Sequence, residues 1–175
     1  AYATYLPVMT ALLPNCRKPI LEFGAGYYST PILAEFAIVN RVRVTCIENV
    51  PDWATKCKHF ENDYYRIISY DDYKSSLEVF KQTAYSLTLV DHEPCYLRGL
   101  DMIELKSCAD FFVCHDSEQL DLYGYREAFS HFKFFGEYKA LTPFTAYCSN
   151  VVPVEMVFNL PTALDVPLDN PSVVP

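Results

Sequence analysis

Acidic and imidazole side chains recur along the first 120 residues, each directly after a run of apolar residues. The first residues of these polar groups are Glu22, Glu48, Asp91 and His115. Carboxylates accept hydrogen bonds and balance cationic ligands, and an imidazole takes up a proton near neutral pH. If the apolar runs are parallel strands, their carboxyl ends meet at the edge where such sheets bind ligands. The pattern therefore predicts one polar site built from several strand ends.

A turn after the first apolar run is suited to hold a ligand against the backbone. Glu22-Phe23-Gly24-Ala25-Gly26 is followed by Ser29, Thr30 and Pro31. Glycine permits positive φ and close approach of a ligand, and the free N–H groups of a new helix point toward whatever binds there. Thr30 is predicted to be the N-cap of this helix, with Pro31 at its first position.

The spacing to the second acid indicates a nucleoside ligand. Glu48 lies a little over twenty residues after Gly26, where an acid on the second strand accepts hydrogen bonds from ribose hydroxyls. A nicotinamide cofactor favours a third glycine, in whose place Ser29 stands, and Glu22 would lie close to its anionic diphosphate. An acid at this position suits a cation better, either an ammonium or a sulfonium.

The elements expected to position these residues alternate between strands and helices. Five nearly continuous apolar runs indicate a parallel sheet that is covered on both faces. These strands are predicted at 18–23, 42–47, 65–69, 86–90 and 111–114. Helices are predicted at 2–13 (ended by Pro14), at 31–37, from the cap Asp52, from Ser76 and at 96–108, with an acidic turn at 70–73.

The pattern changes after residue 120. One more helix is predicted near 125–132, and strands are predicted at 133–138 and 145–149. Too few residues separate these two strands for a crossover helix, so they are predicted to be antiparallel neighbours. Residues 1–150 are predicted to form one domain with a helical lead-in at 1–17, and the proline-rich residues 151–175 an extended tail.

Composition limits the classes of partner. A net charge of −8 argues against a broad phosphate-binding surface, so nucleic acid is not an expected partner. No apolar run approaches the roughly 18 residues of a membrane span, and no leader pattern precedes the fold, so a soluble chain is expected. Seven cysteines without a CxxC pair indicate buried free thiols in a reducing, cytoplasmic compartment. The oligomeric state stays open.

These motifs resemble those of class I S-adenosylmethionine-dependent methyltransferases. The resemblance rests on Glu22-x-Gly24-x-Gly26 with Ser29-Thr30, Val44-Thr45-Cys46-Ile47-Glu48 with Asp52-Trp53, Leu89-Val90-Asp91, and Val113-Cys114-His115-Asp116. It covers about residues 18–150 and is not specific for any substrate. It implies a Rossmann-like α/β fold, a doubly wound, mostly parallel seven-stranded sheet with helices on both faces and an antiparallel C-terminal hairpin.

The resemblance also implies S-adenosylmethionine as cofactor and assigns roles by position. Glu22 would hold the amino group directly or through water, and Glu48 the ribose hydroxyls. Asp71 or Asp72 would hold the adenine amine, and Asp91 would face the methionine moiety or the transferred methyl. The other residues predicted to line the cofactor are Gly24, Ala25, Gly26, Ser29, Thr30 and Asn49. Neither an NPPY-like signature nor a Lys-Asp-Lys-Glu set is present, which argues against methylation of nucleic acids.

Transfer to a hydroxyl requires alignment and a base. His115 is the first choice for the base, followed by Asp91 or His92; the alternative for His115 is a structural bond to its own loop. Asp91, His115 and Asp116 could instead ligate Mg²⁺, which we do not favour because no compact ligand spacing demands it. Arg98 is expected to be an exposed helix residue, the alternative being a pair with Asp91 or with an acidic substrate group.

The sequence thus predicts a methyltransferase acting on a hydroxyl of a small molecule or sugar. One alternative is an NAD(P)-dependent oxidoreductase, which Glu22 and Ser29 disfavour. The other is a non-catalytic, methyltransferase-like binding or interaction module, which stays open because no inserted substrate-recognition domain is evident. The methyl acceptor is not identified by any motif.

Overall fold

The structure, a computed structural model, describes residues 3–153 of the chain. A seven-stranded sheet runs through this part in the order β3-β2-β1-β4-β5-β7-β6. The strands are β1 Ile20–Phe23, β2 Val44–Glu48, β3 Tyr65–Ser69, β4 Tyr85–Val90, β5 Ala109–His115, β6 Phe134–Tyr138 and β7 Thr145–Ser149. The first five strands are parallel, and β7 runs antiparallel to both β5 and β6. The predicted mostly parallel sheet with an antiparallel C-terminal hairpin is confirmed.

Helices connect the strands and cover both faces of the sheet. They are α1 Leu6–Leu12, α2 Ser29–Asn40, α3 Pro51–Cys57, α4 Tyr70–Ser75, α5 Leu77–Gln82, α6 Arg98–Leu105 and α7 Tyr125–Ser130. Successive residues of β5 alternate between two buried clusters: Phe111 and Val113 pack with residues of α1 and α2, whereas Phe112 and Cys114 pack with residues of α6 and α7. This alternation follows from the period of two in a strand and gives the sheet a hydrophobic core on each side.

The start of α2 differs from the prediction. The helix begins at Ser29, so Thr30 is not its N-cap and Pro31 is not its first residue. The Thr30 hydroxyl instead accepts the N–H of Gly26 and donates to Glu22, at 3.0 Å in each case. The buried carboxylate of Glu22 requires a hydrogen-bond donor, and this requirement outweighs the preference of Thr30 for the N-cap position.

Two further predictions of element boundaries are wrong, and a third is wrong at one end. Helix α3 begins at Pro51, which places Asp52 in its first turn rather than at its cap. The predicted acidic turn is helix α4, whose N-cap Ser69 accepts the N–H of Asp72 at 3.1 Å. The N-terminal α-helix ends at Leu12, before Pro14 as predicted, but it begins at Leu6 rather than at residue 2, and a 3₁₀ turn at Leu13–Asn15 contains Pro14. Proline is tolerated there because the first turn of such an element needs no N–H donor.

Other predictions concern the chain as a whole. All seven cysteines are free thiols and five are buried, as expected from their apolar surroundings. Within residues 3–153, no helix is both long and apolar enough to cross a bilayer. The predicted extended tail lies outside the described residues from 154 onward, and the domain boundary at 150 stays a prediction.

Candidate functional site

The carboxyl ends of the parallel strands bring several predicted site residues together. Gly24 donates its N–H to Ile47, near the end of β2, and Asp91 donates its N–H to Phe23, the last residue of β1, each at 2.9 Å. Strands β4 and β5 are also parallel neighbours, and His115 Nδ1 lies 3.0 Å from Asp91 Oδ1. The turn after β1 therefore lies between the residues that follow β2 and those that follow β4 and β5.

The glycine turn has the close backbone approach that was predicted. Gly24 has a φ of 94°, and a Cβ atom built on it would lie 2.3 Å from the carbonyl oxygen of Asp91. Only glycine fits this position, for both reasons. A Cβ atom on Gly26 would meet no heavy atom nearer than Ser29 Oγ, at 3.9 Å. The space beside Gly26 is therefore open.

Glu48 joins the second strand to this turn. Its two carboxylate oxygens accept the N–H groups of Ala25, at 2.7 Å, and Val50, at 2.6 Å. Burial raises the pKa of Glu48, and the N–H donors of Val50, Ala25 and Asn49 oppose that shift. Each carboxylate oxygen keeps a second lone pair, so Glu48 can fix the turn and still accept a ligand hydroxyl.

A cavity of about 620 Å³ opens beside Glu48. Asn49 and Asp71 also line it, together with residues of α3 and Tyr70. The amide oxygen of Asn49 is buried and has no hydrogen-bond partner among the described residues. Such an acceptor is costly unless a ligand or water donates to it. Asp72 lines a different cavity, on the other side of the β3–α4 junction, so the structure groups Asp71 but not Asp72 with Glu48.

Glu22 lies beneath the turn rather than at its open side. Its carboxylate is fully buried and accepts hydrogen bonds from the hydroxyls of Tyr65 and Thr30. Burial raises the pKa of Glu22 to about 7, against the hydrogen bonds from Ser29, Tyr65 and Thr30. Through Thr30, whose hydroxyl also accepts the Gly26 N–H, Glu22 supports the turn; its predicted contact with a cofactor amino group stays a prediction.

The strongest candidate for acid–base chemistry is the group around His115. Its Nδ1 atom lies 3.0 Å from Asp91 Oδ1 and 3.5 Å from Asp116 Oδ1. The imidazole is buried, and the hydroxyl of Tyr125 donates to its backbone carbonyl. A carboxylate on Nδ1 fixes the ring orientation and stabilises a proton taken up at Nε2. The structure thus brings together His115 and Asp91, the first choice and one of the two alternatives for the predicted base, whose roles stay predictions.

Arg98 is not the exposed helix residue that was expected. Its side chain is buried at the start of α6 and pairs with Asp91 at 3.1 Å and with Asp116 at 3.2 Å. Burial opposes the charge, but Tyr125 and the two carboxylates more than compensate and raise the pKa of Arg98. The expectation of exposure was wrong and the alternative pair with Asp91 is present, because the chain turns after β4 so that α6 begins at Arg98, beside Asp91 and Asp116. Helical periodicity does not reveal that turn.

His92 follows Asp91 in sequence but points elsewhere. Its Nε2 atom lies 3.1 Å from Asp101 Oδ2, and both side chains are buried. The ring packs between Phe23 and Tyr70, away from His115. The structure therefore does not bring His92 together with the predicted base. Asp101, which sequence reasoning missed, lies nine residues further along on α6, and no motif marks it.

The N-terminal segment closes the site around His115. Thr4 Oγ1 lies 3.1 Å from His115 Nε2, and the Tyr5 ring meets the imidazole edge-on with centroids 5.1 Å apart. Both side chains are buried. Burial raises the pKa of Tyr5, partly offset by a hydrogen bond with Ser29. Sequence reasoning missed both residues, because a contact across more than a hundred residues leaves no local signal.

Comparison with known proteins identifies the architecture. No protein-family model matches the chain, and no curated protein matches its sequence. Solved structures do match. An O-methyltransferase from Bacillus cereus in complex with SAH has a TM-score of 0.59 at 14% identity, over 83% of this chain and 79% of that one. TomG, an O-methyltransferase from Streptomyces achromogenes involved in tomaymycin synthesis and solved with SAM, has a TM-score of 0.62 at 14% identity, over 83% and 78%.

A third similar structure is human methyltransferase-like protein 13 in complex with SAH, with a TM-score of 0.62 at 14% identity, over 87% of this chain and 84% of that one. At these identities the likeness is one of fold. It agrees with the sheet order, the reversed strand β7 and the glycine turn after β1. The chain therefore has the fold of the class I S-adenosylmethionine-dependent methyltransferases, as its sequence motifs predicted.

Proposed function

We propose that the chain is an S-adenosylmethionine-dependent methyltransferase that acts on a hydroxyl of a small molecule or sugar. One observation carries the proposal: Glu48, which holds the glycine turn through the Ala25 N–H, lines the same cavity as the partnerless amide oxygen of Asn49. A cavity with these acceptors at the carboxyl ends of parallel strands suits a ribose and an adenine ring.

The residues present fit this cofactor. Glu48 has lone pairs free for ribose hydroxyls, Asn49 offers an unpaired acceptor, and Asp71 lies on the same cavity for the adenine amine. The open side of Gly26 leaves room for a ligand against the backbone. When bound, the cofactor supplies a methyl group already activated by its sulfonium. The protein then has to align an acceptor and remove its proton.

His115 is the proposed base. Asp91 holds Nδ1, which leaves Nε2 to accept the proton of the acceptor hydroxyl. The negative charge of Asp91 then stabilises the imidazolium, as a carboxylate does for other catalytic histidines. His92 is not assigned a catalytic role, because its imidazole is held by Asp101 on another part of the site.

Calorimetric titration of the full chain with S-adenosylmethionine, SAH and NADH tests which cofactor the protein binds. We expect saturable binding of the first two and none of NADH. Asp71→Asn should weaken SAH binding about tenfold, since a hydrogen bond to a charged group contributes about 1.5 kcal/mol or more. Asp72→Asn is the matched control, because Asp72 lines the other cavity. Binding of NADH without binding of SAH would replace the proposal with the oxidoreductase alternative.

A second candidate, a non-catalytic binding module, is favoured by one observation. Thr4 and Tyr5 cover the proposed base, so an acceptor meets a closed site. Incubation with methyl-labelled S-adenosylmethionine and pools of metabolites, glycans and proteins distinguishes a methyltransferase from a binding module. A labelled product that is lost in His115→Ala supports catalysis. Cofactor binding without a labelled product from any pool supports the binding module.

A further inference from the structure

Arg98 is a cation built into the centre of the proposed catalytic group. Its Nε atom donates to the backbone carbonyl of His92 at 2.8 Å, and its guanidinium lies 4.5 Å from the centre of the Tyr123 ring. The side chain is 4% exposed. A guanidinium held by a backbone bond and an aromatic face in this way has little freedom to leave.

The guanidinium bridges the two carboxylates that flank His115. Nη2 lies 3.1 Å from Asp91 Oδ1, and Nη1 lies 3.2 Å from Asp116 Oδ2. Asp91, His115 and Asp116 are also the residues whose ligand atoms, all within 4.8 Å of one another, could surround a metal ion. The carboxylates that would ligate a metal ion therefore already bind a cation of the chain itself, the guanidinium of Arg98.

We infer that Arg98 takes the place of a divalent metal in the Asp91–His115–Asp116 group, so that the site works with an internal cation. A metal ion would need the same carboxylate oxygens at about 2.0–2.6 Å and would then lie against a fixed positive charge. His115 is also committed, since Nδ1 faces Asp91 and Nε2 faces Thr4. These residues do not fit a metal while Arg98 is present.

The two ion pairs give Arg98 a positioning role. In the proposed reaction, His115 Nε2 takes the proton of the acceptor hydroxyl while Arg98 holds the two carboxylates that lie at Nδ1. The acceptor oxygen then forms a bond to the methyl carbon, the carbon–sulfur bond breaks, and its electron pair stays on sulfur. The proton leaves His115 to solvent. This role rests on the proposed function, whereas the replacement of a metal does not.

A titration of the full chain with Mn²⁺ tests the inference. Binding is measured as the loss of the free-ion signal in electron paramagnetic resonance. We expect no saturable binding to the wild type. Arg98→Ala should bind Mn²⁺ at least about tenfold more tightly, since it frees two charge-assisted hydrogen bonds. Adding Asp116→Asn should abolish that gain. Arg126→Ala is the matched control, because it removes an exposed arginine from its pair with Asp121 and should not create a site.

Two outcomes would overturn the inference. One is saturable Mn²⁺ binding to the wild type that Asp116→Asn removes. The other is a folded Arg98→Ala protein without increased Mn²⁺ affinity. Removing one member of a buried ion pair is strongly destabilising, so if Arg98→Ala does not fold alone, refolding it with and without Mn²⁺ provides the same test. Recovery with Mn²⁺ supports the inference, and failure with Mn²⁺ contradicts it.

The wild-type protein also distinguishes this inference from the proposed function. Thermal stabilisation by SAH reports on the cofactor cavity and requires no metal. A wild type that binds neither Mn²⁺ nor SAH leaves the metal replacement intact and contradicts the methyltransferase proposal. A wild type that binds both Mn²⁺ and SAH contradicts the metal replacement and leaves the methyltransferase proposal intact.

Discussion

The hydroxyl oxygen of Thr4 lies 3.1 Å from Nε2 of His115, across 111 positions of the chain. Because Asp91 holds the other ring nitrogen, Nε2 is the only imidazole atom left to take a proton. Thr4 therefore occupies the place that an acceptor hydroxyl would need. If His115 is the proposed base, the N-terminal segment and the acceptor compete for one atom, and this segment has to open before the proton is transferred.

Thr4→Ala should make His115 accessible. The substitution removes the hydrogen bond to Nε2, which contributes about 1 kcal/mol, and the rate of His115 acylation by diethyl pyrocarbonate should rise about fivefold. Mass spectrometry of proteolytic fragments measures this rate, with exposed His59 as the internal standard.

Thr4→Ser is the matched control for that prediction, because it keeps the hydroxyl and should keep the slow rate. Equal rates in the wild type and in Thr4→Ala would mean that Thr4 does not limit access to the imidazole. A fast rate in Thr4→Ser would mean that packing of the threonine methyl group, rather than the hydrogen bond, closes the segment.

Gly24 and Gly26 should respond differently to the same added methyl group. Gly24→Ala forces a Cβ atom to within 2.3 Å of the Asp91 carbonyl at a positive φ, so the free energy of unfolding should fall by about 2 kcal/mol or more. Gly26→Ala meets only Ser29 Oγ at 3.9 Å, so it should change stability by less than about 1 kcal/mol. Urea unfolding of both variants measures the difference, and equal losses would contradict it.

A bulkier side chain at Gly26 tests the ligand rather than the fold. Gly26→Val should fold, because the space beside Gly26 is open, and should no longer be thermally stabilised by SAH. Unchanged stabilisation would mean that the cofactor does not lie against this turn.

Sequence reasoning succeeded where local pattern and physical cause coincide. Strands β3 and β7 have the predicted bounds because runs that contain β-branched and aromatic residues end there at polar residues. Asp91 and His115 were found because parallel strands align their carboxyl ends. Helix α4 was missed because six residues carry little periodicity, and burial of Tyr73 against Phe23 and Phe80 holds it in place.

The parts of the site that sequence reasoning missed or gave only as an alternative depend on long-range packing. Thr4 reaches His115 only because α1 packs on the sheet near the strand ends. Arg98 is buried because α6 begins beside Asp91 and Asp116, with which it pairs. Neither residue type is unusual at its position, so tertiary contacts rather than local spacing decide these two roles.

Glu22 should make stability depend on pH. Its pKa is about 7 in the folded protein against an ordinary value of 4.5, so the folded state keeps the proton that the unfolded state loses first. Below about pH 4.5 this proton makes its full contribution to the free energy of unfolding, up to about 3 kcal/mol. That contribution is lost as the pH rises toward 7. Urea unfolding across this range, compared with Glu22→Gln, measures the effect as a difference between the two curves.

Glu35→Gln is the matched control for the pH experiment, because Glu35 is exposed on α2. Its unfolding free energy should follow the wild-type curve at every pH, whereas Glu22→Gln should diverge from it. Parallel curves for the wild type and Glu22→Gln would contradict the raised pKa of the buried carboxyl.

Trp53 should report cofactor binding by its fluorescence. It is the single tryptophan of the chain, and its ring lies 5.0 Å from that of Tyr27, which follows the glycine turn. Its helix, α3, contributes Pro51, Ala54 and Thr55 to the cavity beside Glu48. A ligand in this cavity therefore touches α3, the helix that carries Trp53. We expect SAH to change the tryptophan emission in a saturable way, with the same Kd that calorimetry gives.

The variant Trp53→Phe separates the reporter from the binding site. Because Trp53 does not itself line the cavity, this variant should lose the fluorescence change and keep the thermal stabilisation by SAH. Calorimetric binding of SAH to the wild type without any change in emission would mean that the ligand lies elsewhere. The assignment of Asn49 and Asp71 to the adenosine moiety would then fail, since both residues line the same cavity as α3.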